Sequence, residues 1–196
     1  MTVLSPTSPT AAEPRAGPAS ALEEEAAVLR AAIAGDEHAC DQLVRRHHGR
    51  VYGYLCQMTR HREDAEDLTQ QTFIKALRHL GRVDPERGVI NWLLTIARRT
   101  ALNHFRDGPR WAELPEATAS EAASPAHSAE SRDRVENLWA RARRVLSPRE
   151  FEVMWLRFAE ELSVAETARV MELTQIHVKV IVHRARQQLL KGECRP

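Results

Sequence analysis

Residues 163–191 read SVAETARVMELTQIHVKVIVHRARQQLLK, and this stretch decides the fold. Ser163-Val-Ala-Glu166 has the form of a capping box, in which a serine side chain and a glutamate three residues on satisfy the open donors of a helix start. The helix it opens is short, with Ala165, Ala168 and Val170 or Met171 turned inward. After a brief turn, Thr174 can cap a longer helix that runs to about Lys191. With Val178 set inward, steps of about 100° per residue bring Val182, Ala185 and Leu189 to the same buried side. The outward arc then carries Ile176, His177, Lys179, Val180, His183, Arg184 and Gln187. From Thr174 to Lys191 there are four Lys/Arg and no acid, a bias that suits phosphates and base edges. Charge alone fits a solvated surface helix equally well. The short helix and tight turn before it complete a helix-turn-helix, whose second helix enters the major groove of DNA.

The pattern stays helical upstream. Leu146-Ser147-Pro148 breaks the chain between a helix around Val135 to Val145 and one whose core face is Phe151, Met154, Trp155 and Phe158. Between Asp107 and Ser131 lies an Ala/Pro/Ser-rich stretch with Arg110 against Asp107, Glu113, Glu116, Glu121 and Glu130, which predicts a flexible acidic linker. Before it, Ser20-Ala-Leu-Glu23 predicts a capped helix ending at Gly35. Asp36 caps a second helix, to about Arg60, with Ala39, Leu43, His47, Val51, Tyr54, Leu55 and Met58 on one side. A third runs from about Glu63 to Leu80, with Ala65, Leu68, Thr72, Ala76, Leu77 and Leu80 inward and Gly81 as its stop. A fourth begins near Val89 or Ile90 and reaches about Arg106. No strict apolar/polar alternation persists, so the expected class is all-α: two small helical domains joined by a flexible acidic linker. The divisions are 1–20, a disordered tail carrying Pro6, Pro9, Pro14 and Pro18; 21–106; the linker 107–132; 133–191; and a tail 192–196.

Composition narrows the function classes. The 28 basic and 27 acidic residues leave a net charge of +1, so nucleic acid is not coated by bulk charge and contacts must come from local patches. Cys40, Cys56 and Cys194 are odd in number and form no CxxC pair, against a disulfide scaffold or zinc ribbon and in favour of a reducing cytoplasm. No apolar run approaches the ~18 residues of a membrane span, and the start lacks a basic opening followed by an apolar stretch, so neither membrane insertion nor secretion is expected. Cys40, His47 and His48 do not converge with Cys56, and no glycine-rich phosphate loop, Gly-x-Ser-x-Gly elbow or HExxH occurs. Neither an enzyme, a metal site nor a cofactor is expected.

Two further patches stand out. Glu63, Asp64, Glu66 and Asp67 crowd the start of the third helix; the helix dipole favours acids there, but four in five positions repel one another unless a basic partner meets them. The fourth helix is one-signed in the opposite sense, with Arg87, Arg98, Arg99 and Arg106 and the interleaved rings of Trp92 and Phe105. Rings that stack on bases beside arginines that meet phosphates suit single-stranded nucleic acid, although Trp92 as plain core is the simpler reading.

The segment Asp64-Ala-Glu-Asp-Leu-Thr-Gln-Gln-Thr-Phe-Ile-Lys-Ala-Leu77 resembles region 2.2 of the sigma-70 factors of bacterial RNA polymerase, in their extracytoplasmic-function (ECF) group. Asn91-Trp-Leu-Leu-Thr-Ile-Ala-Arg-Arg99 resembles regions 2.3 to 2.4; Leu146 to Arg157 and Val182-His-Arg-Ala-Arg186 resemble region 4. The resemblance covers about 21–106 and 133–191. It implies an alternative sigma factor that binds core RNA polymerase, through the beta-prime clamp helices and the beta flap, and directs promoter-specific transcription initiation. An anti-sigma factor would be a further partner. Asp64, Glu66, Asp67, Gln70, Gln71 and Phe73 would dock on the polymerase. Val83 to Ile90 match the loop that captures an unstacked minus-10 base, and Arg87, Ile90, Asn91, Trp92, Arg98, Arg99, Asn103 and Arg106 would hold minus-10 DNA. Gln175, His177, Lys179, Val180, His183, Arg184 and Arg186 would face the minus-35 duplex. The chain departs from the family at Glu172, where many relatives carry Gly, and at Val180 and Ile181, where polar or basic residues are common; Val180 could meet a thymine methyl or a protein. A stand-alone helix-turn-helix regulator and a sigma-like interaction decoy are the competing readings.

If Arg184 reaches a guanine edge, Arg184→Ala costs ~1 to 3 kcal/mol and relaxes preference at one base pair, whereas loss of a phosphate contact weakens all sequences alike and flattens the salt slope. Transcription from promoters with randomised upstream hexamers separates the two.

Overall fold

A computed structural model of the chain describes residues 18–84, 88–107 and 129–191, and every described element is helical. The order is α1 (Pro18–Ile33), α2 (Glu37–Thr59), α3 (Arg62–Arg78), a 3₁₀ turn (Leu80–Arg82), α4 (Val89–Asp107), α5 (Ala129–Val145), α6 (Pro148–Phe158), α7 (Val164–Met171) and α8 (Gln175–Lys191). Residues 1–17 of the expected disordered tail, most of the acidic linker and the C-terminal tail lie outside the described residues, as does Arg87, whereas residues 18–20 of that tail are helical.

Local chemistry fixes most of the boundaries. Asp36 accepts hydrogen bonds from the amides of His38 (2.8 Å) and Ala39 (3.1 Å), and Arg60, at φ 58°, closes α2 in the left-handed conformation. Ser163 and Glu166 form the reciprocal box the spacing predicts, and the Thr174 hydroxyl accepts the His177 amide at 3.2 Å. A second box, Ser147 with Glu150, starts α6 around Pro148; the proline draws attention to itself, but the glutamate three residues after Ser147 is the fuller signal.

Some boundaries differ from the sequence reading. α1 already begins at Pro18, so Ser20 lies inside the helix and cannot cap it. His79 rather than Gly81 ends α3, and Gly81 sits in the 3₁₀ turn that follows. α5 reaches back to Ala129, because the polar residues before Val135 tolerate a helix although they carry no apolar period.

α2 packs on α1, α3 and α4, while α6, α7 and α8 pack on one another with α5 against α6 and α8. Val51, Tyr54, Leu55, Leu68 and Leu94 lie at the heart of the first group; Val153, Leu156, Val170 and Val178 lie in the second. The two groups also touch, since α4 lies along α7. Most positions expected inward are buried. Leu77 and Phe158 are not: Leu77 is exposed beside Ile74, and Phe158, the last residue of α6, stays 41% exposed.

Leu94→Ala should destabilise the fold by about 2 to 5 kcal/mol, through lost burial and the cavity left behind, as read by urea denaturation. A pH effect follows from Glu150. Burial raises its pKa, but hydrogen bonds from the Ser147 hydroxyl and amide and from Gln188 outweigh that and hold it below the ordinary carboxylate value. A depressed folded pKa means stability that is complete above the unfolded value and lost as pH falls through the folded one. Glu150→Gln should therefore lower stability at neutral pH and flatten the acid side of the stability profile, measured by thermal melts between pH 7 and pH 3 (approximate limits).

Candidate nucleic-acid interface

Three surfaces carry the residues singled out in the sequence. On α3, Glu66, Asp67, Gln70 and Gln71 are exposed and Asp64 is half-buried, with the imidazoles of His61 and His104 at 3.7 and 3.6 Å from its carboxylate. Glu66 accepts a bond from Arg62 at 3.0 Å. Glu66, Gln70, Ile74 and Leu77 recur at helical spacing, so the acidic start of this face continues into an exposed apolar end that the sequence reading assigned partly to the core. Phe73 is buried, its ring stacked on His48 at 6.1 Å.

On α4, Gly88 takes φ +74° ahead of the first turn, a conformation open to glycine without strain. Val89, Leu93, Leu94 and Ala97 anchor the helix in the core. Ile90 and Trp92 are half-buried against that core, while Asn103 and Arg106 are exposed. The polar residues between them point at the second group of helices. Asn91 Nδ2 donates to Glu166 at 2.7 Å, Arg98 Nε to Glu152 at 2.9 Å, and Arg99 Nε and Nη2 to Glu172 at 3.0 and 2.7 Å.

These contacts form part of a larger polar seam. Tyr54 Oη donates to the same Glu152 oxygen at 2.6 Å, and burial with that carboxylate alongside drives the phenol pKa well above its usual value. Arg50 donates to the carboxylate and to the backbone carbonyl of Glu160, both at 2.9 Å. Arg143 reaches back to the carbonyl and side chain of Gln57. Glu166 is partly desolvated, which raises its pKa, but Ser163 and Asn91 hold it below the ordinary value; Arg99 does the same for Glu172. None of these pairings was legible in the sequence: Glu152 and Glu160 carry no motif of their own, Glu166 reads as half of a capping box, and Glu172 stands out only as a departure from the family pattern.

On α8, Val178 and Ala185 are buried, with Val182 and Leu189 packed against the core. Gln175, His177, Lys179, Val180, His183, Arg184 and Arg186 are all exposed, as the helical arc requires. Ile176 is 75% exposed among them. Gln187 pairs with His183 at 3.0 Å, and the Arg186 guanidinium lies 5.1 Å over the ring of Phe158, at the edge of a cleft also lined by Arg157, Lys179 and Val182.

The family models for sigma-70 region 2 and sigma-70 region 4 match residues 43–110 and 131–191, in that order. The ECF RNA polymerase sigma factor BldN of Streptomyces coelicolor is 33% identical over 169 residues, covering 84% of this chain and 64% of BldN. The RNA polymerase sigma factor CarQ of Myxococcus xanthus is 38% identical over 94 residues, covering 46% of this chain and 54% of CarQ. This chain thus spans less than two thirds of the length of either. The fold is also that of the sigma factor RpoE solved with the anti-sigma factor NepR from Bartonella quintana, at a TM-score of 0.62 and 21% identity over 77% of this chain and 94% of that one. With both regions matched on the helices that carry the acidic face and the two basic faces, the chain belongs to the ECF group of the sigma-70 family.

Proposed function

We propose that this chain is an alternative sigma factor that binds core RNA polymerase and directs promoter-specific initiation, acting as a regulatory subunit in the cytoplasm rather than as a catalyst. The observation that carries the reading is the separation of labours on one chain: an acidic and apolar face on α3, a basic helix α4, and an outward basic helix α8. No helix among the described residues is long and apolar enough to cross a membrane, in keeping with a partner found in the cytoplasm.

In this reading residues 21–106 form region 2 and 133–191 form region 4, joined through 107–132. Asp64, Glu66, Asp67, Gln70 and Gln71 meet the basic clamp helices of beta-prime, with Ile74 and Leu77 adding apolar contact and Phe73 bracing the face from inside. Asn91, Trp92, Arg98, Arg99, Asn103 and Arg106, with Arg87 and Ile90 ahead of them, hold the melted minus-10 strand. Region 4 docks on the beta flap and presents Gln175, His177, Lys179, Val180, His183, Arg184 and Arg186 to the minus-35 duplex. An anti-sigma factor would compete for these same faces. The exposure of Ile176 and Val180 favours, as a second reading, a sigma-like protein that uses α8 to bind protein; run-off transcription with purified core polymerase on a genomic promoter library decides between them.

Asp64→Lys with Asp67→Lys should abolish association with core polymerase while leaving helical content nearly unchanged, since reversing charge near a helix start costs about 0.3 to 1 kcal/mol per residue. Undiminished co-purification with core would remove the docking assignment.

A further inference from the structure

We infer that Ile176 and Val180 read the 5-methyl groups of thymines in the minus-35 duplex, which makes them specificity-determining residues of region 4. This rests on the assignment of α8 to duplex DNA and names what its groove-facing line recognises.

The placement follows from the helix itself. The buried side of α8 is set by Val178 and Ala185, with Val182 and Leu189 packed against the core. Steps of about 100° per residue put Ile176, Val180 and Gln187 on the line opposite that side, within about 30° of its centre. The basic residues lie to either side of the line: Lys179 and Arg186 on one flank, His177 and Arg184 on the other, all exposed. Ile176 is 75% exposed and Val180 39%. The polar residues nearest them, His183 and Gln187, are bonded to each other at 3.0 Å. Ile181, the neighbouring apolar departure from the family pattern, packs against the core and takes no part.

An apolar line between two basic flanks fits a duplex better than a protein. Basic side chains on both sides of a helix meet the phosphates that border the groove, and the line between them then lies over the base edges. The core of a protein interface is depleted of charge, whereas Val180 has Lys179 and Arg184 as its neighbours. In the major groove the thymine 5-methyl is the apolar substituent that a base edge presents. An aliphatic side chain set over the donors and acceptors of the other bases would strip them of water and return no hydrogen bond. Ile176 and Val180 stand one turn apart, about 6 Å along the axis, so they reach thymines about two base steps apart.

The test uses the full chain with purified core polymerase. Run-off transcription from promoters with randomised upstream hexamers selects the preferred minus-35 sequence, in which thymine should be enriched at the positions these side chains cover. Each such thymine is then replaced by deoxyuridine, which keeps the base pair and removes the methyl group alone. Each replacement should lower transcription at limiting holoenzyme by about threefold to fivefold, the worth of one buried methyl group. Val180→Ser should abolish the response at one position and Ile176→Ser at the other, whereas Val180→Ile should keep it. Because both side chains are exposed, the melting temperatures of the variants should match that of wild type. Wild-type transcription indifferent to deoxyuridine at every upstream position, or a response that both serine variants retain, would overturn the methyl readout and assign the line to a protein partner. Absence of promoter-specific transcription by the wild-type chain would instead overturn the functional assignment, and the methyl readout with it.

Discussion

A single buried carboxylate organises the molecule. Glu152 is 7% exposed, and one of its oxygens accepts both the Tyr54 hydroxyl and the Arg98 guanidinium. A charge taken out of water must be paired, and stripping a partner from a buried pair costs about 3 to 5 kcal/mol. Both partners belong to the first group of helices, one on α2 and one on α4, whereas Glu152 belongs to α6. Any other placement of α6 would strand the charge. The phenol is locked into the same arrangement, because burial and the neighbouring carboxylate oppose its ionisation and keep it a donor. With α6 fixed, Glu160 just beyond its end meets Arg50 of α2, and α7 comes to lie along α4, where Glu166 and Glu172 make their contacts.

The seam is graded. Around Glu152 the Arg98 side chain is mostly buried, Arg50 opposite Glu160 is less so, and both partners of the Arg99–Glu172 pair are more than half exposed. Exposed pairs are worth about 0 to 1 kcal/mol and weaken with salt, whereas screening scarcely reaches the buried one. The seam is therefore firm at α6 and compliant at the far end of α7. Separation of the halves would begin at Glu172, beside Arg99, and reach Arg98 last.

How much of this was legible depends on the range of the interaction. Caps are local: Asp36, Ser163 and Thr174 each satisfy amides two or three residues away, and the sequence displays donor and acceptor together. The inward faces of α2 and α8 were legible for the same reason, since 3.6-residue spacing survives whatever the helix packs against. Gly81 misled because a glycine can end a helix without having to; the chain turned two residues earlier, at His79, and used Gly81 in the 3₁₀ turn. Leu77 misled because periodicity marks a stripe as apolar without saying whether a core or an external partner covers it. The polar seam was out of reach: Arg50 and Glu160 are 110 residues apart, Tyr54 and Glu152 98, and a charged residue on a helix reads by default as solvated.

Two residues that break a local rule carry more information than those that obey one. Glu172 occupies a backbone conformation suited to glycine, and Phe158 leaves an apolar ring exposed at the end of an otherwise core-facing helix. Each is matched to an arginine: Glu172 to Arg99, and Phe158 to Arg157 and Arg186, whose guanidinium groups lie 5.8 and 5.1 Å from its ring centre. Both Arg99 and Arg186 belong to faces assigned to DNA. Consistency between local preference and global fold is the norm in a stable protein, so departures concentrate where some other demand outweighs stability. Here both departures orient cations: a long, flexible arginine is held by a carboxylate in one case and by an aromatic ring in the other. The Arg99 pair joins the two groups of helices, whereas the Arg186 contact lies within the second group, so only the first depends on how the groups pack.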